Sequence, residues 1–188
     1  LPISRQTKQQ EEPTMFKTIL VAVDGSPHAE RAVEMASSLA RQSKARLVVV
    51  HALSARLPED LLHMAEVEHL VQPLAANSGV LSGGPMATSA YGAGPVAEPK
   101  GVREAIEAIG QRIVADAEVV AKLAEVRDVR IRIEEGDPAR QILAVAKEEN
   151  ADLIVMGRRG LGRLEGLLMG GVSSKVCSLA KCACLTVR

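Results

Sequence analysis

The sequence predicts an α/β protein built on a parallel sheet with helices on both faces. Short β-branched apolar runs alternate with segments of helical spacing. The central runs are continuously apolar, as strands covered on both faces must be. Two of these runs end abruptly in Asp or Gly residues, and parallel α/β sheets bind ligands at the carboxyl ends of their strands.

The elements follow in order. Residues 1–14 (LPISRQTKQQEEPT) are polar and aperiodic and predict a disordered tail, leaving 15–188 as one domain. Phe16 to Val23 (FKTILVAV) is a buried strand that stops at Asp24-Gly25-Ser26-Pro27. Ser26 suits an N-cap and Pro27 the first helical position. Ala29, Ala32, Val33, Ala36, Leu39 and Ala40 then recur at helical spacing. Ala45 to Ala52 (ARLVVVHA) is a second buried strand. A helix is expected over 56–72. Residues 77–101, rich in Gly, Pro, Ser and Ala, read as a flexible insertion.

Helical period resumes at Val102, Ile106, Ile109, Ile113, Ala117, Val120 and Leu123. In Val126 to Glu135 apolar Val129, Ile131 and Ile133 alternate with Arg130, Arg132 and Glu134, which marks a strand with one polar face. Asp137 and Pro138 open a helix that runs to about Glu149. Asp152 to Met156 (DLIVM) is another buried run, followed by a helix from about Gly171 to Ala180 and a last strand, Cys184 to Arg188.

Composition removes several function classes. Aromatic residues are 1% of the chain, so base-stacking platforms for single-stranded nucleic acid are missing. Lys+Arg and Asp+Glu both number 23, so no net field favours nucleic acid or an anionic membrane. No apolar run approaches the roughly 20 residues that span a bilayer, and the polar start has no apolar signal core. A cytoplasmic protein is the expectation. Cys177, Cys182 and Cys184 have C-x4-C-x-C spacing, which is not a usual zinc pattern, and reduced thiols are expected.

The chemistry concentrates after the DLIVM run. Gly157-Arg158-Arg159-Gly160 is followed by nine residues and then Gly170-Gly171-Val172-Ser173. Glycines let a backbone approach phosphate oxygens, and free N–H groups at a helix start attract anions. Ser173 adds a hydroxyl, while Arg158, Arg159 and Lys175 add charge. The pattern is not a Walker A loop, because Val172 stands where lysine is needed. Nor is it a dinucleotide fingerprint, since Glu165 replaces the third glycine. His51 ends a buried strand and is expected to be packed and hydrogen-bonded, whereas His28, His63 and His69 are expected at the surface. No nucleophile–base pair, H-E-x-x-H or paired-carboxylate motif is visible. Binding is favoured over fast turnover.

With Gly157, Gly160 and Gly170 at G-x2-G-x9-G spacing, the chain resembles the universal stress protein family. Val21 to Ser26, Leu47 to Ala52, Glu135 to Pro138 and Asp152 to Gly157 resemble it in the same order. The resemblance implies a doubly wound, Rossmann-like five-stranded sheet in order 3-2-1-4-5 and a stress-response regulatory protein that binds ATP or another adenine nucleotide, with Mg2+. It implies nucleoside contacts at Ala22, Val23, Asp24 and Ala52, and ribose or phosphate contacts at Met156, Gly157, Gly160, Gly170, Gly171, Val172 and Ser173. Arg158 and Arg159 join that set as cations within the loop. It also implies a homodimer through the strand at 184–188. Two departures stand out: Gly171 replaces the family's usual Ser or Thr, and Ala183 stands where proline is frequent. The alternatives are a slow ATPase or phosphotransferase, and a dimeric interaction module that no longer binds nucleotide.

Overall fold

A computed structural model describes residues 15–53, 100–160 and 169–188. The expected tail, the helix over 56–72, most of the 77–101 insertion, His63 and His69 lie outside the described residues. Nine elements follow one another: β1 (Thr18–Ala22), α1 (Pro27–Ser43), β2 (Arg46–Leu53), α2 (Lys100–Leu123), β3 (Val129–Glu135), α3 (Pro138–Glu148), β4 (Leu153–Gly157), α4 (Gly171–Leu179) and β5 (Ala183–Val187). Helix α2 starts at Lys100, two residues before the expected resumption of helical period and inside the end of the expected insertion.

The strands form one parallel sheet in the order β3-β2-β1-β4-β5. The expected order therefore holds. Ile19, Leu20, Val21, Leu47 to Val50, Ile154 and Val155 are essentially inaccessible to solvent. Alternation along each strand divides them between two cores. One face carries Ile19, Val21, Leu47, Val49 and Val155 against Ala32, Val33 and Ala36 of α1 and Val114, Ala117 and Ala121 of α2. The other carries Leu20, Val48, Val50, Ile154 and Met156 against Ile142 and Val145 of α3 and Val176 of α4.

Local chemistry fixes where the helices begin. The Ser26 hydroxyl accepts the Ala29 N–H at 3.3 Å, with Pro27 in the first turn of α1. Asp137 accepts the Arg140 N–H at 2.9 Å ahead of Pro138. Each cap is worth on the order of 1 kcal/mol. The register of β1 against β4 has its own clamp: the Asp152 carboxylate accepts the N–H groups of Lys17 at 2.7 Å and Thr18 at 2.9 Å. At the β3 edge, the polar residues are paired. Arg132 meets Glu134 at 2.7 Å, Glu148 at 2.9 Å and Glu149 at 3.3 Å.

One core position is under strain of a different kind. Ser37, on the buried stripe of α1, is 0% exposed and its hydroxyl has no hydrogen-bond partner. An unmet buried hydroxyl costs about 1–3 kcal/mol, and alanine is the better helix former. Ser37→Ala is expected to raise the unfolding free energy by about 1 kcal/mol or more in urea denaturation. An equal or lower midpoint would show that Oγ is satisfied in solution.

Candidate functional site

The parallel register brings three strand ends together. Ala22 lies beside Val50 on one side and Met156 on the other. Two residues further along each chain, Asp24, Ala52 and Arg158 therefore occupy the same level of the sheet, at its carboxyl end. Ala22, Val23 and Met156 are buried and form the floor beneath this level. Asp24 and Ala52 are half-buried above it.

The turn after β1 is ordered by Asp24, which accepts the Ser26 N–H at 3.1 Å while Gly25 adopts a positive φ of 79°. Asp24 also reaches the other half of the site. A Cβ placed on Gly160 would collide with Asp24 Oδ2, so a side chain there would displace the carboxylate. The glycine in the motif thus allows the ends of β1 and β4 to touch.

Gly157 has a different reason to be glycine. A Cβ there would sit 2.9 Å from His28 Cβ and 3.0 Å from the backbone carbon of His28. Tight seating of α1 over β4 requires glycine, and His28 is correspondingly half-buried instead of fully exposed as expected.

The peptide of Arg158 joins three elements. Its N–H donates to the Val187 carbonyl of β5 at 2.7 Å. Its carbonyl accepts the Gly170 N–H at 2.9 Å and the Ser173 hydroxyl at 2.8 Å. Ser173 also lies 3.0 Å from the Gly170 carbonyl and is 4% exposed. Its hydroxyl proton is therefore engaged by the backbone, and Ser173 holds the start of α4 in place. Compensation by Ser173 for the missing hydroxyl at Gly171 would first have to break this bond.

Helix α4 opens on Gly170, which caps it without a side chain. Gly171 and Val172 are exposed on its first turn, and the Cβ position of Gly171 meets nothing within 4 Å. A helix start of this kind presents N–H groups and a partial positive charge. Charge from Lys175 does not join them. Its ammonium pairs with Asp137 at 3.1 Å, on the neighbouring helix α3, because α3 and α4 lie side by side on one face. That pair and the Arg140 N–H hold the Asp137 carboxyl below its usual range, with the Arg140 N–H the larger influence.

Arg158 is half-buried, and its Nε is enclosed with no hydrogen-bond partner. Among the described residues no carboxylate pairs with it. Burial first, then the nearby charges of Arg188 and Arg159, push its pKa down. The folded chain has gathered cations here without a visible counter-charge at Arg158. Among the described residues no group of three or more His, Cys, Asp or Glu could hold a metal ion.

His51 stands beneath the site as a packed residue. Its Nδ1 lies 2.8 Å from the Val23 carbonyl, which makes Nδ1–H the donor. A Cβ on Gly110 of α2 would come within 3.0 Å of its ring and 2.6 Å of Leu53, so this helical glycine makes room for both. The sequence pattern gave no sign of Gly110's role, because the side chains it accommodates belong to a distant strand.

The chain belongs to the universal stress protein family. The family model, described as "Universal stress protein family", matches residues 15–78 and 85–188. A universal stress protein of Thermus aquaticus, from the 3′ region of a QAH/OAS sulfhydrylase gene, is 34% identical over 93% of this chain and 100% of its own length. Among solved structures, a universal stress protein in complex with cAMP is 25% identical, with a TM-score of 0.59, over 92% of this chain and 97% of its own. A universal stress protein from Archaeoglobus fulgidus in complex with dAMP shares the fold at 19% identity and a TM-score of 0.54, over 92% of this chain and 98% of its own. Among the described residues no helix is long and apolar enough to cross a membrane.

The position of His51 gives a pH dependence. Burial lowers its pKa from 6.5, outweighing the Val23 hydrogen bond and the Asp24 charge, which raise it. The unfolded chain therefore takes up a proton at a higher pH than the native state does. Stability from this group is complete above the unfolded value, is lost as pH falls through it, and levels off below the folded value. Unfolding free energy is expected to drop between about pH 7 and pH 5, with much of that slope missing in His51→Gln. Identical slopes in the two proteins would contradict the assignment.

Proposed function

We propose that this universal stress protein binds an adenine nucleotide across the carboxyl ends of β1 and β4 and acts as a regulatory switch in a stress response. One observation carries the reading. The chain draws Asp24 against Gly160 and hangs the open start of α4 from the Arg158 carbonyl. This places a carboxylate suited to ribose hydroxyls opposite a helix start suited to phosphate. The cAMP complex of a relative supports the ligand class.

The residues fit such a ligand. Ala22, Val23, Ala52 and Met156 offer an apolar floor and wall for a base. Gly171 and Val172 offer backbone N–H groups and open space above the first turn of α4, while Gly170, whose own N–H is held by the Arg158 carbonyl, and Ser173 fix their positions from below. Arg158 and Arg159 supply the cationic side, and an anionic phosphate chain would relieve the unpaired guanidinium of Arg158. ATP is the proposed ligand because these cations suit a polyphosphate better than a monophosphate. Mg2+ would then be held largely by the phosphates, as it usually is, with Asp24 the nearest candidate carboxylate.

Calorimetric titration with Mg-ATP and AMP tests the proposal. Saturable heat is expected with both nucleotides at submillimolar concentration, with ATP the tighter. Arg158→Gln should weaken ATP more than AMP. Gly171→Ser has space for its hydroxyl and should tighten ATP by roughly 1.5–3 kcal/mol, about tenfold or more. No heat from wild type at these concentrations would reject nucleotide binding, and equal weakening of AMP and ATP in Arg158→Gln would reject the phosphate contact.

We further propose a homodimer through β5. Among the described residues this strand has a neighbour only on its β4 side, and Cys184 to Val187 along it are half-buried. Such an open edge pairs readily with a second copy. Sedimentation at micromolar concentration is expected to give twice the chain mass, and Leu185→Lys to shift it to the monomer. A monomeric wild type would overturn the assignment.

A further inference from the structure

The three cysteines occupy a region that the proposed nucleotide site does not use. Cys177 lies on α4, Cys182 in the link that follows, and Cys184 on β5. Strand register sets Cys184 beside Ile154, so both face the core covered by α3 and α4. Val176 of α4 is fully buried in that same core, and Cys182 and Cys184 pack against it. After Leu179 the chain leaves the helix at Ala180, with φ −63° and ψ 143°, and doubles back into β5 beneath α4. This reversal brings Cys184 near enough to Cys177 for that cysteine to act on its thiol, which donates to the Cys182 carbonyl at 3.9 Å. Cys177 is exposed, whereas Cys184 is half-buried.

We propose that Cys177 and Cys184 form an intramolecular disulfide under a peroxide oxidant, a modification site that ties α4 to the edge strand β5. The exposed Cys177 meets the oxidant. Its thiolate attacks one oxygen of hydrogen peroxide; the S–O bond forms, the O–O bond breaks, and hydroxide leaves to become water by taking a proton. Cys177 is then a sulfenic acid, oxidised by two electrons. The Cys184 sulfur displaces its hydroxyl, the S–S bond forms, and a second water departs with the Cys184 proton. Two thiols and one peroxide yield one disulfide and two waters.

Cys184 suits the second role. Burial, together with the proximity of Cys177 and Cys182, pushes its thiol up to about 12, so it keeps its proton until a sulfenic acid stands beside it. The resolving step is accordingly expected to quicken as pH rises. Burial also pushes the Cys182 thiol up, and its path to Cys177 is the competing one. Helix α4 is the element whose first turn lines the proposed phosphate site, so the bond would fix the far end of that helix. The inference does not depend on nucleotide binding.

Trypsin provides the test, because cleavage after Lys175 and Lys181 separates Val176–Lys181, with Cys177, from Cys182–Arg188, with Cys184. The full-length protein is treated with stoichiometric hydrogen peroxide, alkylated, and digested without reductant. A linked pair of these peptides, short of two hydrogens and separated by dithiothreitol, is expected in wild type and in Cys182→Ser. It is expected to be lost in Cys177→Ser, whose exposed position tolerates the change. Loss of the linked pair in Cys182→Ser would assign the bond to Cys182 and overturn the proposal. So would a link found only in covalent dimers, or conversion of Cys177 to sulfinic acid in place of a disulfide. Thermal melting adds a second readout: oxidised Cys182→Ser should melt above its reduced form, and a lower melting temperature would contradict the geometry.

Discussion

The peptide group of Arg158 is the junction on which the candidate site depends. Its N–H continues the sheet into β5, while its carbonyl takes two donors from the start of α4. A carbonyl has two lone pairs, and here both are used, one by Gly170 and one by Ser173. These two bonds tie the start of α4 directly to the end of β4. Burial of Val176, one turn further along, then fixes the rotation of the helix. The N–H groups of Gly171 and Val172 lie in the first turn, where a helix supplies no partner, and both residues are exposed among the described residues.

Packing and binding demands meet in the glycines of this segment, and they are not the same demand at each position. At Gly157 the constraint is the backbone of α1 at His28, so the residue serves the fold whether or not a ligand is present. At Gly160 the constraint is the Asp24 carboxylate, which joins the two halves of the site. At Gly171 there is no steric constraint at all. The first two motif glycines therefore serve helix–sheet packing and closure of the site, whereas Gly171, outside the glycine spacing, stands where a side chain could be supplied without a clash among the described residues.

What the sequence made legible was local or periodic. Ser26-Pro27 and Asp137-Pro138 announced helix starts because a cap is a contact between near neighbours in the chain. The runs TILVA, LVVV and LIVM announced central strands because burial on both faces leaves no polar position. Alternation in VRIRIE announced a strand with one polar face, and its Arg132 network shows why those charges are tolerated at the sheet edge. Non-local contacts were the part that could not be read. Lys175 looked like a phosphate ligand until Asp137, 38 residues away, proved to hold it. Ser173 looked like a free donor until the fold supplied the Arg158 carbonyl. Gly110 carried no signal, since the His51 and Leu53 side chains that crowd it come from another strand.

The charges around Arg158 favour an anion beside it. A half-buried guanidinium with an enclosed, unpaired Nε and two further arginines nearby raises the energy of the native chain. Any ligand that supplies negative charge at this place removes part of that penalty on binding. The same balance works in the opposite direction when the ligand leaves, because the repulsion returns at the junction of β4, β5 and α4. Those are the three elements that meet at the Arg158 peptide, and β5 is also the open edge of the sheet. A change in charge beside Arg158 therefore acts on the one peptide that joins β4, β5 and α4.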